Sequence, residues 1–205
     1  MKTKLIIATL LALFLTSCQS GYRKEGGVWV WVSYDESVGK RVRMVDQHDP
    51  RSFKVLKNKD FAVDKNAAFY VGRLIQGADP ATFEVIDKSG YSKDQQHVFI
   101  DDQIVVFADP STFRVLEFPY SKDSDHVFCG NIPLKISPQE VNEFKVTNTD
   151  ELMKASKSTI LFSYFIEMNP DYKWLDSTGI NRIIVGAWGT GETGNKKFKG
   201  FREEE

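Results

Sequence analysis

The sequence predicts an all-β protein, a tandem array of roughly 30-residue β-hairpin repeats with a small C-terminal α/β cap, and three observations predict it. Asp49, Asp79 and Asp109 open the segments "DPRSFKVL", "DPATFEVI" and "DPSTFRVL" at intervals of 30 and 30 residues, and Phe53, Phe83 and Phe113 keep step with them. Later in each repeat, β-rich runs such as "HVFI" and "QIVVF" flank the two-residue pairs Val71-Gly72, Asp101-Asp102 and Gly130-Asn131, the composition of primed hairpin turns. Beyond Leu134 the period gives way to helix-capping signals and two longer apolar runs. A unit of this size buries too little surface alone, so it must pack on its neighbours, with about three copies the minimum.

The chain begins "MKTKLIIATLLALFLTSCQS", in which two lysines precede an apolar run of 11 residues at 5–15. Crossing a bilayer needs about 20 apolar residues, so residues 1–17 read as a signal peptide and stand outside the fold. Leu15-Thr16-Ser17-Cys18 resembles the bacterial lipobox. That resemblance implies a covalent lipid on Cys18, a diacylglyceryl group with palmitate-type acyl chains, and a lipoprotein anchored to a membrane of the cell envelope. Gln19 and Ser20 supply no aspartate after the cysteine, which favours the outer membrane over the inner. The competing reading is a secreted protein whose signal ends near a chance cysteine. Residues 18–27 are then a tether.

Residues 28–136 form the repeat region. "VWVWV" sets Trp29 and Trp31 on one face of a strand, where packing is favoured over lining a ligand groove. "VGKRV" at 38–42 is a weak echo of "VGRLI" at 71–75. In each full repeat the aspartate accepts backbone N–H groups and proline presets φ, so the chain bends. The phenylalanine and a following valine give a short strand, a polar loop follows, and a hairpin carries Phe69, Phe99 or Phe128. One unit is thus a hairpin plus a short returning strand. "SPQEVNEFKV" at 137–146 is a divergent fourth echo, with two extra residues before its phenylalanine.

Residues 137–190 are expected to cap the array. Ser137-Pro138-Gln139-Glu140 has the form of a capping box, and "NTDELMKASKS" offers a second helix ending near Lys157. "TILFSYFIEM" and "RIIVGAW" are expected to pair as strands across "NPDYKWLDSTGIN". The tail at 191–205 is polar and glycine-bearing, and is expected to be mobile.

The stretch "VDKNAAFYVGRLIQGADPATFEVI" and its continuation to "DHVF" resemble the DKNYY family of bacterial proteins, often lipoproteins, over residues 49–134. The best copy of the namesake run is Asp64-Lys65-Asn66-Ala67-Ala68-Phe69-Tyr70. Later copies depart to Asp94-Gln95-Gln96 and Asp123-Ser124-Asp125. The resemblance carries no activity and no catalytic residue onto this chain.

Chemistry has few candidates. His97 and His126, with Asp94, Asp123 and Asp125 close in sequence, invite a metal, but they recur once per repeat instead of clustering, so a packing role is expected and no metal or other cofactor. His48 reads as a solvated turn residue. Cys129 aligns with Ile100 and Tyr70, which favours an apolar role over a nucleophile, and with Cys18 lipidated it has no disulfide partner. An EF-type loop fails at Val127, and "GTGETG" lacks the lysine-bearing helix of a phosphate loop. A net charge of -1 gives no field for nucleic acid. The expected function is non-catalytic, a module binding an envelope protein or polymer. An envelope immunity or inhibitor protein is the alternative, and an enzyme comes third.

Overall fold

Alternation in "VWVWV" sets the first sheet: β2 (Val28–Asp35) pairs antiparallel with β1 (Gly21–Glu25) on one side and β3 (Gly39–Met44) on the other. The computed structural model describes residues 20–87, 89–148 and 156–204. Cys18 and the signal peptide lie outside them, as does the body of the helix expected before Lys157. Residues 21–25, expected within the tether, are instead a strand, because their backbone pairs along the whole of Glu25↔Val28 to Gly21↔Val32.

Each repeat then begins at its DP turn. The carboxylates of Asp49, Asp79 and Asp109 accept the backbone N–H of Arg51, Ala81 and Ser111 at 3.0, 3.0 and 2.9 Å, and the chain leaves the turn as a short strand. Three four-stranded antiparallel meanders follow. The first is β4 (Lys54–Val55), β5 (Phe61–Val63), β6 (Ala68–Tyr70) and β7 (Arg73–Leu74). Next come β8 (Glu84–Val85), β9 (Tyr91–Lys93), β10 (Val98–Ile100) and β11 (Gln103–Ile104). The third is β12 (Arg114–Val115), β13 (Tyr120–Lys122), β14 (Val127–Cys129) and β15 (Ile132–Pro133). The fold class is therefore the expected array of small antiparallel sheets, but each repeat has one strand more than expected. The segment read as a polar loop holds β5, β9 or β13, whose Phe61, Tyr91 and Tyr120 are fully buried. The hairpin loops are the two-residue pairs expected, since Tyr70↔Arg73, Ile100↔Gln103 and Cys129↔Ile132 are paired, with Val71, Asp101 and Gly130 at positive φ.

A buried aspartate after the second strand ties each repeat together. Asp94 takes three backbone N–H groups, from Asp79, Gln96 and His97, at 2.9, 2.8 and 2.6 Å. Asp64 does the same with Asp49, Asn66 and Ala67, and Asp123 with Asp109, Asp125 and His126. These carboxylates join the DP turn to the bend before the third strand, and their burial is offset by amide donors.

The chain divides into two compact units between Leu74 and Ile75, so the expected 28–136 region is split between them. In the N-terminal unit the core is Val45, Phe53, Ala62 and Phe69, with Tyr22 and Trp29 packed on it. Tyr22 of the leading sheet meets Phe53 at 5.4 Å, and its hydroxyl accepts the Gly72 N–H at 3.0 Å. The C-terminal unit uses the same joint twice. Tyr91 meets Phe113 at 5.5 Å with its hydroxyl 3.4 Å from the Gly130 carbonyl, and Tyr120 meets Phe144 at 5.1 Å with its hydroxyl 2.9 Å from the Gly200 carbonyl. Burial pushes all three tyrosines well above the ordinary phenol range.

A fourth sheet closes the C-terminal unit, and it overturns two expectations. After α1 (Pro138–Glu143), whose Glu140 carboxylate accepts the Ser137 N–H at 2.6 Å as the capping box requires, come β16 (Lys145–Val146) and, much later in the chain, β19 (Thr190–Thr193), β20 (Lys196–Lys199) and β21 (Arg202–Glu204). Their order, β16-β19-β20-β21, repeats that of β12 to β15. The tail expected to be mobile is thus three strands, held because Phe198 fills the core position of Phe128 and Gly200 makes the hairpin turn at φ 58°. Between β16 and β19 lie β17 (Ser158–Leu161), α2 (Phe162–Met168), a 3-10 helix (Pro170–Thr178) and β18 (Arg182–Val185). β17 and β18 pair as expected, but "FSYFIEM" is helical and not a strand. Its apolar residues fall on both sides of the turn, Phe165 inward and Tyr164 outward, which a helix here accommodates by burying only one face.

Candidate functional site

The fourth sheet is a full repeat interrupted by an insertion. Its pairings Val146↔Gly191, Thr190↔Lys199 and Lys199↔Arg202 match Val115↔Ser121, Tyr120↔Cys129 and Cys129↔Ile132. The hydrogen bond from Gly200 N–H to the Gly189 carbonyl, 2.7 Å, matches those from Gly130 to Pro119 and from Asp101 to Gly90, 2.8 and 2.9 Å. First and second strands are separated by five, five and four residues in the three earlier repeats, against 43 here, at 147–189.

The inserted segment is clamped to the hairpin turns of the second and third repeats. Gly130 lies so close to β18 that a Cβ there would sit 1.7 Å from the Ile184 carbonyl oxygen, which with φ 62° makes glycine obligatory. Fully buried Asn131 takes the Ile184 N–H at 2.8 Å and donates to the Arg182 carbonyl at 3.0 Å. Asp101 is paired with Lys157 at 2.7 Å and Asp102 with Arg182. The turn acids visible in the sequence are thus also docking points, each buried carboxylate matched by a cation from the insertion.

One stripe of the insertion's outward surface is apolar. Leu161, Tyr164 and Met168 share one side of α2 and its N-terminal boundary and are 66%, 58% and 59% exposed. Beside them opens a groove of about 300 Å³, floored by Ile160, Phe165, Val185 and Phe201 and edged by Lys199 and Arg202. Trp188 is exposed with the Lys199 ammonium 4.9 Å from its ring, and exposed Trp174 stacks on Phe107 at 5.6 Å. This surface was not legible in the sequence, where the same residues read as a paired strand.

The sequence candidates fall elsewhere. His97 and His126 are in different sheets, each ring beside the phenylalanine two residues on, at 6.0 and 5.8 Å, and each with Nδ1 near one carboxylate, Asp94 at 3.7 Å or Asp123 at 3.5 Å. Among the described residues no three histidine, cysteine or acidic side chains converge. His48 is half-buried against Phe53, its Nδ1 3.0 Å from the Val45 carbonyl, and so is more enclosed than a solvated turn residue. Cys129 is fully buried, and burial pushes its thiol up to about 12, the opposite of what a nucleophile needs. Trp31 is buried, Trp29 is half-buried at the side of a cleft in the N-terminal unit, and Trp174 and Trp188 are exposed.

A model of the DKNYY family matches residues 31–99 and 91–198, overlapping stretches that together take in part of β2, β3, all three repeats and most of the interrupted one. No curated protein and no solved structure matches the chain.

Proposed function

The chain belongs to the DKNYY family, and from that premise we propose that it is a non-catalytic interaction module of the bacterial cell envelope, holding a protein or polymer partner on the segment inserted in its fourth repeat. The observation that carries the reading is the exposed stripe of Leu161, Tyr164 and Met168 beside the open groove. Insertions in repeat arrays are a common way to build a binding face on an otherwise regular scaffold. The groove's apolar floor fits an apolar side chain or short apolar segment, and Lys199 and Arg202 at its edge favour an acidic neighbour. A lipid on Cys18 would hold this surface at a membrane of the envelope, with the outer membrane favoured.

A photo-crosslinking residue at Tyr164 in the native host, compared with one at Arg114, tests this. The reading expects a discrete adduct from position 164, lost in Met168→Ser while the melting temperature is kept. No adduct at 164, or equal adducts at both positions, would overturn it.

A further inference from the structure

We propose that the N-terminal unit carries a second contact surface, a basic cleft that seats on an anionic phospholipid headgroup layer. The inference rests on the reading of Cys18 as the anchor for its orientation, but the surface is tested apart from it. Charge is distributed unevenly along the chain: residues 21–74 hold eleven basic against seven acidic side chains, a formal +4, whereas residues 75–205 hold fourteen against twenty-one, a formal -7. Three of the eleven basic side chains, Lys40, Arg41 and Lys65, pair with Glu25, Asp35 and Asp49 within the unit. Exposed Lys24, Lys57 and Lys59 have no carboxylate within ion-pair distance among the described residues.

Lys57 and Lys59 line one cleft of about 540 Å³ with Arg23, Trp29 and Leu56, and the Lys24 ammonium stands 5.2 Å from the Trp29 ring. Ser20 also lines it, two residues after Cys18. The chain thus enters the described structure at the mouth of this cleft, and acyl chains on Cys18 would bring headgroups to it. Asp60 follows Lys59 and sets the acidic limit of the patch in sequence. A tryptophan and a leucine among lysines suit an interface of charged headgroups over hydrocarbon. With the acyl chains on Cys18 supplying the anchor, a basic patch beside it adds an electrostatic contact that seats the unit on the anionic headgroup layer.

The full chain carrying Cys18→Ser, which removes the acylation site from every arm, is partitioned at limiting lipid into vesicles of phosphatidylcholine alone or with one-third phosphatidylglycerol. The leader contributes equally throughout, so the ratio between vesicle types and between variants reads the patch. Each lysine seated at an anionic surface is worth about fivefold in partition at moderate salt. Lys57→Gln and Lys59→Gln should each lower the preference for anionic vesicles by about that factor, high salt should abolish it, and the charge-matched control Lys196→Gln should leave it unchanged. Equal partition into both vesicle types, or insensitivity to Lys57→Gln and Lys59→Gln, overturns the proposal. Displacement by inorganic phosphate at constant ionic strength also overturns it, by assigning the cleft to a free anion. Palmitate labelling of the parent chain is read in parallel: absent labelling with vesicle preference intact sinks the anchor and supports the surface.

Discussion

Replacing Asp94 by asparagine should destabilise the C-terminal unit by about 2–4 kcal/mol. The side chain is 1% exposed and its two oxygens take three backbone N–H groups, Gln96 and His97 on Oδ1 and Asp79 on Oδ2. In the amide, one oxygen can still serve Gln96 and His97, but the NH₂ group must then face the Asp79 N–H, donor against donor. One hydrogen bond to a charged acceptor is lost, worth about 1.5–3 kcal/mol, and a donor is left without a partner. The two remaining bonds weaken because their acceptor is neutral. Equilibrium urea unfolding should show the midpoint falling with the slope unchanged, and a scan should show the melting temperature lowered by roughly 8–15 °C. Asp125→Asn, an exposed carboxylate two residues after the equivalent Asp123, should stay within about 0.5 kcal/mol of the parent. If Asp94→Asn is equally silent, the buried aspartate does not hold the repeat together and its recurrence needs another cause.

Arg182→Met should cost about 1.5–3 kcal/mol, because it removes the cation bonded to the buried Asp102 carboxylate; a change under about 1 kcal/mol in chemical unfolding would show that the insertion is not clamped there. The peptide bearing Cys129 should resist iodoacetamide in the folded protein and label on unfolding, as mass spectrometry would report, since the thiol is buried and pushed up to about 12. Between the ordinary 9.0 and that value only the unfolded chain gives up the proton, so stability should fall as pH rises above 9.0, and less so in Cys129→Ala. Hydrogen bonding from Lys65 lowers Asp49 from 3.8 to about 2, so its contribution is present above 3.8 and is lost as pH falls towards 2. A titration of Asp49 by nuclear magnetic resonance in Lys65→Met should move back towards 3.8, with the Arg51 N–H still holding it below that value.

The repeat was legible because it is written in residues whose conformational meaning is local. Aspartate-proline fixes a bend, and a pair such as Gly130-Asn131 admits a hairpin, whatever lies around them. The extra strand was missed because Tyr91-Ser92-Lys93 has one apolar residue in three, and Ser92 is buried only because its sheet neighbours cover it. Phe83 shows the same limit from the other side: it keeps the period but is half-buried, where Phe53 is buried. The fourth repeat was half-seen at 137–146, and its remainder went unrecognised because 43 residues part Val146 from Thr190. "GTGETGNKKFKG" has one large apolar residue, Phe198, and is held as two strands by their pairing with each other, with β16 and with β21. The candidate surface was hidden for a related reason, since "FSYFIEM" is apolar enough for a strand and becomes a helix through its packing.

The interrupted repeat has a consequence for how the chain folds. In the third repeat β12 and β13 are parted by four residues, so that sheet closes over a short loop. β16 must wait for residues 190–193, and joining ends 43 apart instead of four costs about 2 kcal/mol more in loop-closure entropy unless the insertion has already folded and drawn its own ends together. Until then the amide edge of β16 stays open to the wrong strand. Because β18 docks on the turn at Gly130 and Asn131, the insertion holds its own ends near the third repeat and acts as an internal splint, delivering the last three strands to the edge of β16.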